Sequence, residues 1–176
     1  MNPVEHETHI DMPRAEVVAY LEDIARWPEF TDHFLVHWHL TSEETVGQGA
    51  GARFRMHRKL DRYSWADLTF ADVQSRGRIL ARGRIGKFNR SRWIVVVEVD
   101  DDAGGSRVRL SVETAPKLPT DRLMEAATFT KHYHRRRWGK AMRRLRSILE
   151  DGEDRGTTAT ISGGARKPAT RPPITA

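Results

Sequence analysis

The chain has 176 residues and a formal net charge of +6, with 31% charged residues, 38% hydrophobic residues and no cysteine. That length fits one domain with some excess, and a body of about 150 residues buries roughly 70% of its unfolded surface, enough for a real core. The missing cysteines exclude disulfides, thiol nucleophiles and cysteine-based zinc sites. Residues 1–12 carry Glu5, Glu7 and Asp11 and no apolar run, which argues against a secretory signal. The longest aliphatic stretch, around Ile94 to Val97, is far short of the roughly 20 residues of a membrane span. A cytoplasmic location is therefore the expectation.

Val4 to Ile10 alternates weakly and reads as an opening strand ended by Met12-Pro13. Pro13 suits the first turn of a helix, where its missing N–H matters least. Val17, Val18, Leu21 and Ile24 recur at helical spacing up to Trp27-Pro28, where the helix should stop or kink, and a second short helical piece follows through Phe30 and Phe34. Leu35 to Leu40 is strand-like, and Thr41 to Gly51 is a turn region. In the next strand Ala52, Phe54 and Met56 alternate with Arg53, Arg55 and His57. Tyr63 to Val73 is a longer strand with Ala66, Leu68 and Phe70 on one face. Ile79, Ala81 and Ile85 oppose Arg78, Arg82 and Arg84 in the one after it.

Arg92 to Asp100 is valine-rich and apolar on both faces near its middle, as a central strand would be. Asp101 to Gly105 supplies a hairpin turn, after which Val108, Leu110 and Val112 alternate with Arg107, Arg109 and Glu113. Short connections between successive strands predict an antiparallel meander, and the whole an α+β fold of about seven strands with two short helices after the first.

Beyond Pro116 and Pro119 the pattern turns helical, with Thr120 or Asp121 as N-cap. Leu123, Ala127, Thr130, His134, Trp138, Ala141, Leu145 and Ile148 form one stripe at 100° per residue. The helix would run about 28 residues, or about 42 Å, to Gly152. From Asp121 to Glu150 there are nine Lys/Arg against three Asp/Glu, so this segment alone carries a charge equal to that of the whole chain. Residues 151–176 are rich in Thr, Gly, Pro and Ala and read as a disordered tail behind a domain of residues 1–150.

The wording of the chain resembles a known superfamily. Met12-Pro13-Arg14-Ala15-Glu16-Val17-Val18, then Leu21-Glu22-Asp23 and Trp27-Pro28-Glu29-Phe30, is similar to the opening of START-like SRPBCC proteins, the polyketide cyclase/dehydrase and lipid-transport group. Gly49-Ala50-Gly51-Ala52-Arg53-Phe54 resembles the entrance of their third strand, and Gly104-Gly105-Ser106-Arg107-Val108 their last hairpin. The resemblance covers roughly residues 4 to 150. It implies a helix-grip fold, with a curved sheet wrapped around the long C-terminal helix and a cavity between them for lipids, polyketides or isoprenoid-like molecules. It does not imply one activity: some members catalyse cyclisation or aromatisation and others bind or carry. No cofactor is implied.

The cavity so implied would be lined by Phe54, Met56, Leu68, Phe70, Ile79, Val96, Leu110, Thr130, His134 and Trp138, although aromatic and sulfur side chains at these spacings equally fill an ordinary core. His134 is the candidate acid/base, its plain alternative being a histidine hydrogen-bonded at the core's edge. The strands offer a second polar set, Tyr63, Trp65, Asp67 and Glu98. Glu98 shares the face of Ile94 and Val96, so it either points inward with a raised pKa or is solvated near the strand end. His37 with His39, and His132 with His134, lack a third ligand at a metal-binding spacing, and no metal is expected. The glycines from Gly47 to Gly51 precede a strand and lack the Lys-Ser/Thr of a phosphate loop. The basic run Lys131, Arg135, Arg136, Arg137, Lys140, Arg143, Arg144 and Arg146 is either a solvated helix face or a contact for an anionic membrane surface or nucleic acid. Three readings follow: a binder or carrier of an apolar small molecule, a polyketide aromatase/cyclase using His134, and a regulator that touches a polyanion through Lys131, Arg135, Arg136, Lys140, Arg143 and Arg144.

Overall fold

The computed structural model describes residues 2–57, 65–85, 90–120, 122–123, 130–152 and 155–160, with the side chain of Thr130 outside that description. Strand β1 (Val4–Ile10) leads into helix α1 (Arg14–Leu21), a single 3-10 turn (Ile24–Arg26) and helix α2 (Trp27–Thr31). Six strands follow: β2 (Leu35–Leu40), β3 (Gly51–Met56), β4 (Trp65–Gln74), β5 (Arg78–Ile85), β6 (Ser91–Asp102) and β7 (Gly105–Ala115). Helix α3 (Thr130–Glu150) closes the fold, and helical backbone is also present at 119–120 and 122–123. Tyr63 and Ala127, read from sequence as strand and helix residues, lie outside the described residues.

The seven strands form one antiparallel sheet in the order β1-β7-β6-β5-β4-β3-β2, curled around α3 in a helix grip. Its inner face alternates as a half-buried sheet should: Ala52, Phe54 and Met56 on β3, Ala66, Leu68 and Phe70 on β4, and Val108, Leu110 and Val112 on β7 are all buried. On β5, a Cβ at Gly83 would stand 1.8 Å from the carbonyl oxygen of Asp67 on β4. Any side chain there would push the two strands apart.

The turn before α2 is set locally. Asp23 caps it by accepting from the Ala25 N–H at 3.1 Å, and Pro28 occupies the first turn of α2, where its missing N–H costs little. Every residue of α2 is buried, and its aromatic rings pack with Tyr20 and Phe70.

Edge strand β2 departs from simple alternation. His37 adopts φ +56° and the β2–β3 register slips between Val36 and His39, a bulge that turns Leu35, Trp38 and Leu40 all toward β3's inner side. His37 is left exposed and His39 packs near Trp65, at 6.1 Å between rings.

Two of the contacts that hold helix α3 lie toward α2 and toward β1. Toward α2, the Arg144 guanidinium is 8% exposed and donates to Asp32 Oδ1 and to His33 Nδ1 at 3.3 Å, while His33 Nε2–H donates to the Arg137 carbonyl at 3.2 Å. This corrects the expectation that Arg144 belongs to a surface that receives an anionic partner. Its helical position faces α2, where a carboxylate balances the buried charge. Toward β1, Gly139 approaches His6 so closely that a Cβ would lie 3.1 Å from the imidazole.

Sequence places residues 151–176 in a tail. Its described stretch 155–160 runs back over the α2 side of the molecule: Gly156 N–H donates to Glu29 O at 2.8 Å, Ala159 N–H to Ala25 O at 3.0 Å, and Leu40 N–H to Thr160 O at 3.4 Å. Arg155 stands 3.9 Å from Glu29, a 3% exposed carboxylate that also accepts from Tyr20 Oη at 3.1 Å. A composition argument cannot see this, because the attraction comes from a buried charge more than a hundred residues away.

Two predictions follow from these contacts. Ending the chain after Gly152 removes three backbone hydrogen bonds and the cation nearest Glu29, and is expected to cost about 2 kcal/mol, lowering Tm by roughly 4–8 °C in a thermal melt. The second concerns pH. Burial first, then the nearby charges of Arg144, Lys140 and Arg137, hold His33 down to about 4, against the pull of its bond to the Arg137 carbonyl. The native imidazole stays neutral where the unfolded one is protonated, so its contribution is complete above about pH 6.5 and is lost as pH falls toward 4. His6, lowered chiefly by burial beneath α3, acts in the same sense, whereas Glu29, raised chiefly by burial, acts in the opposite one. Melts between pH 7 and pH 4.5 should show a shallower fall in Tm for His33→Gln than for the parent chain, and equal slopes would refute the assignment.

Candidate functional site

The site grows from the inner face of β6 and the facing stripe of α3. β6 buries Trp93, Val95, Val97 and Val99, and Trp93 stands opposite Thr114 of β7. From α3 the stripe delivers His134, Trp138, Ala141, Leu145 and Ile148, all buried. Four rings close the seam between the two layers. Trp93 lies 6.3 Å from Trp138 and 5.5 Å from Phe54, centroid to centroid, and Phe34 meets Trp138 edge-on at 5.2 Å. Trp38 packs on the far side of Phe54 at 4.3 Å. Around these rings the sheet wall is unusually small in side chain: Ala52, Ala66, Ala81 and Gly83 occupy inward positions of β3, β4 and β5.

Polar groups in this wall are few. His134 is 1% exposed and its ring stands edge-on to Tyr133 at 5.6 Å, while Tyr133 Oη donates to the His57 carbonyl at 3.0 Å, tying α3 to the end of β3. Thr114 is also buried. Of the five tryptophans, Trp27 and Trp38 satisfy their indole N–H groups within a few residues, on the carbonyls of Leu21 at 2.8 Å and Leu35 at 2.9 Å. Trp93 and Trp138 are 0% exposed, and their indole nitrogens have no hydrogen-bond partner among the described residues.

The residues expected to line the cavity divide into groups. Phe54 and Trp138 come together around Trp93, and His134 is buried one turn before Trp138 on α3, with Met56 further along the same face of β3 and Leu68 in register with Ala52 and Gly83. Phe70 turns instead to Trp27, 5.5 Å away. Ile79 and Leu110 are buried beside Val97, four residues along β6 from Trp93, or about 13 Å at strand spacing. Thr130 opens α3, but its side chain lies outside the described residues.

Val96 is a correction. It is half-buried on the outer face, paired with Leu80 and Ser111, because β6 turns its odd-numbered residues inward. Glu98 shares that outer face and sits 3.6 Å from Arg78, so it is a surface carboxylate. Asp67 accepts from the Arg84 N–H at 2.7 Å, and Trp65 is partly exposed beneath the Arg53 guanidinium.

Trp93, Thr114 and Phe34 were missed, and for Trp93 and Thr114 a signal existed. A hairpin that pairs Asp102 with Gly105 sets Val99 against Val108, Val97 against Leu110, and hence Trp93 against Thr114. The inward alternation of β7 therefore fixes which face of β6 is inner.

On the outside of α3, Lys131, Arg135, Arg136, Lys140 and Arg143 engage in no ion pair among the described residues, whereas Arg146 bonds Glu150 at 2.8 Å. His132 is exposed and His134 buried. Among the described residues no group of three His, Asp or Glu side chains is placed to hold a metal ion, and no helix is long and apolar enough to cross a membrane.

The chain is similar to several solved structures. The KanY protein aligns over 84% of this chain and 96% of its own, with 16% identity and a TM-score of 0.67. TTHA0849 from Thermus thermophilus aligns over 86% and 99%, with 13% identity and a TM-score of 0.65. DynU16, a protein in the dynemicin biosynthetic locus, aligns over 88% of this chain and 50% of its own, with 19% identity and a TM-score of 0.56. At these identities the likeness is one of fold. No curated protein sequence matches. The family profile described as polyketide cyclase/dehydrase and lipid transport matches residues 1–150, most of the chain and nearly all of its described elements, and the chain belongs to that family.

Proposed function

We propose that this protein binds or carries an apolar, polycyclic small molecule between the inner face of its sheet and α3. The observation that carries the reading is the seam of Phe34, Phe54, Trp93 and Trp138, set against a wall of Ala52, Ala66, Ala81 and Gly83. Rings from α3 and from the sheet, with small residues beside them on the same wall, favour a flat apolar guest, and the few polar groups there would orient it. Family membership supports ligand binding or polyketide-related work in general.

Conversion of the guest is the second reading, favoured by one observation: His134 is a titratable side chain fully buried on the same stripe as Trp138. In that case the seam would fold a reactive chain and His134 would move a proton. The five cations on the outside of α3 favour a further contact with an anionic surface, which salt-sensitive retention on anionic vesicles or on DNA would reveal.

Native mass spectrometry of the protein isolated from its own host is expected to show a retained small molecule that is released on denaturation. A uniform ligand-free mass, together with no uptake of any polycyclic probe, would sink the reading. If a retained molecule proves to be a substrate, His134→Ala should abolish its conversion and leave its binding in place, and unchanged turnover would remove His134 from the chemistry.

A further inference from the structure

We infer that the outer face of the sheet, at the end that carries Trp65, binds single-stranded nucleic acid. This surface lies on the side of the sheet away from α3 and takes no part in the ligand site proposed above.

Strand register assembles it. Arg53 of β3 pairs with Asp67 of β4, Asp67 with Arg84 of β5, and Arg84 with Arg92 of β6, while His39 of β2 extends the row by pairing with Arg53. At strand spacing this row spans about 19 Å. Arg82 stands two residues from Arg84 on the same face, and Arg55 stands opposite Trp65. Trp65 is 37% exposed, with the Arg53 guanidinium 5.4 Å from the centre of its ring and the His39 ring 6.1 Å away.

The one face treats its arginines in two ways. Toward the β6–β7 hairpin each is matched to carboxylates: Arg78 to Asp72 and Glu98, Arg107 to Asp102 and Glu7, and Arg109 to Asp100. Toward Trp65 the matching stops. Arg53, Arg82, Arg84 and Arg92 are exposed and engage in no ion pair among the described residues. Asp67 stands among them, but its Oδ1 accepts from the backbone N–H of Arg84 at 2.7 Å, and Glu113 lies at the margin, opposite Ile94. Arg84 and Arg92 face each other directly across two strands, where like charges destabilise the pairing. A polyanion laid over the row removes that repulsion.

The residue types select the polyanion. The cations here are all arginines, planar forks that grip phosphate through two hydrogen bonds and stack on flat rings. An exposed indole beside them is a platform for an unpaired base. A face this broad enters neither groove of duplex DNA, since even the major groove, about 12 Å wide, admits only a helix or a two-stranded ribbon. An anionic membrane fits less well, because among the described residues Trp65 is the sole large apolar side chain exposed on this face.

The test is fluorescence anisotropy of a labelled oligothymidylate of about 12 nucleotides titrated with the full chain. Binding is expected to be saturable at low salt and to weaken as salt rises. The slope of log K against log salt should lie near about −3 if four arginines each neutralise one phosphate of a single strand. Arg84→Thr and Arg92→Thr should each make that slope shallower by about 0.7. Trp65→Ala should weaken binding by about 5- to 150-fold for a single stacked base, and Arg107→Thr, at the matched end, should change nothing. In the parent chain, amide spectra should show the oligonucleotide shifting the signals of Arg53, Trp65, Arg84 and Arg92. No binding at low salt would overturn the inference, as would affinity and slope that survive the Arg84, Arg92 and Trp65 substitutions. Vesicles of phosphatidylserine and phosphatidylcholine form the second arm. Retention on them through Arg84 and Arg92, without uptake of the oligonucleotide, would overturn it in favour of a membrane contact. The ligand-binding reading stands or falls separately.

Discussion

Everything in this fold depends on how α3 is held against the sheet, because the functional space is whatever lies between them. Two unlike contacts stand out among those that set that distance. On one side Arg144 anchors the helix to α2 through Asp32 and a neutral His33, whose tautomer is fixed by donating to the Arg137 carbonyl. On the other, Gly139 lets the helix settle onto His6 of β1 at van der Waals range. The first contact is electrostatic and half-shielded from water, and the second is steric. Together they fix the height of the helix over the wall before any apolar packing is counted.

With the helix so placed, side-chain size decides the rest. Rings from β3, β6, α3 and the segment after α2 converge on the seam, while alanines and a glycine stand on the inward side of β3 to β5. Close packing in protein interiors means that such a layout is tuned to the scale of a methyl group. The same economy of polar atoms explains why so little of the wall can direct a guest: His134, Thr114 and two indole nitrogens are the polar side-chain groups the described wall offers.

Much of this was legible in the sequence, for reasons that can be named. β3 and β4 alternate strictly, so Phe54, Met56, Leu68 and Phe70 were readable as inward, and the 100° stripe of α3 placed His134 and Trp138 correctly. β6 misled because valine occupies both faces between Val95 and Val97, so that periodicity gives no phase. The hairpin to β7 supplies it, and reading the two strands together would have replaced Val96 by Trp93. The bulge at His37 was not legible, since a left-handed backbone at a histidine leaves no trace in hydrophobic pattern. Nor were the long-range charge partners. Arg144 looks like its basic neighbours until Asp32 is seen beside it, and Arg155 looks like part of a polar tail until Glu29 is.

Gly139 has a mechanical meaning beyond its fit. It stands nine residues from Thr130, about 13 Å along the helix, and the ties of α3 to its neighbours lie on both sides of it, at Tyr133 and Arg137 toward the N-terminus and at Arg144 toward the C-terminus. A rigid rod held on both sides of one smooth contact cannot tilt about that point without stretching a hydrogen bond on one side or the other. A tilt of about 10° there would swing the start of α3 through roughly 2 Å, given the helix rise. The contact that sets the height of the helix is therefore a pivot locked from both sides, and the stripe bearing His134 and Trp138 lies on an arm that Tyr133 and Arg137 hold to the end of β3 and to His33.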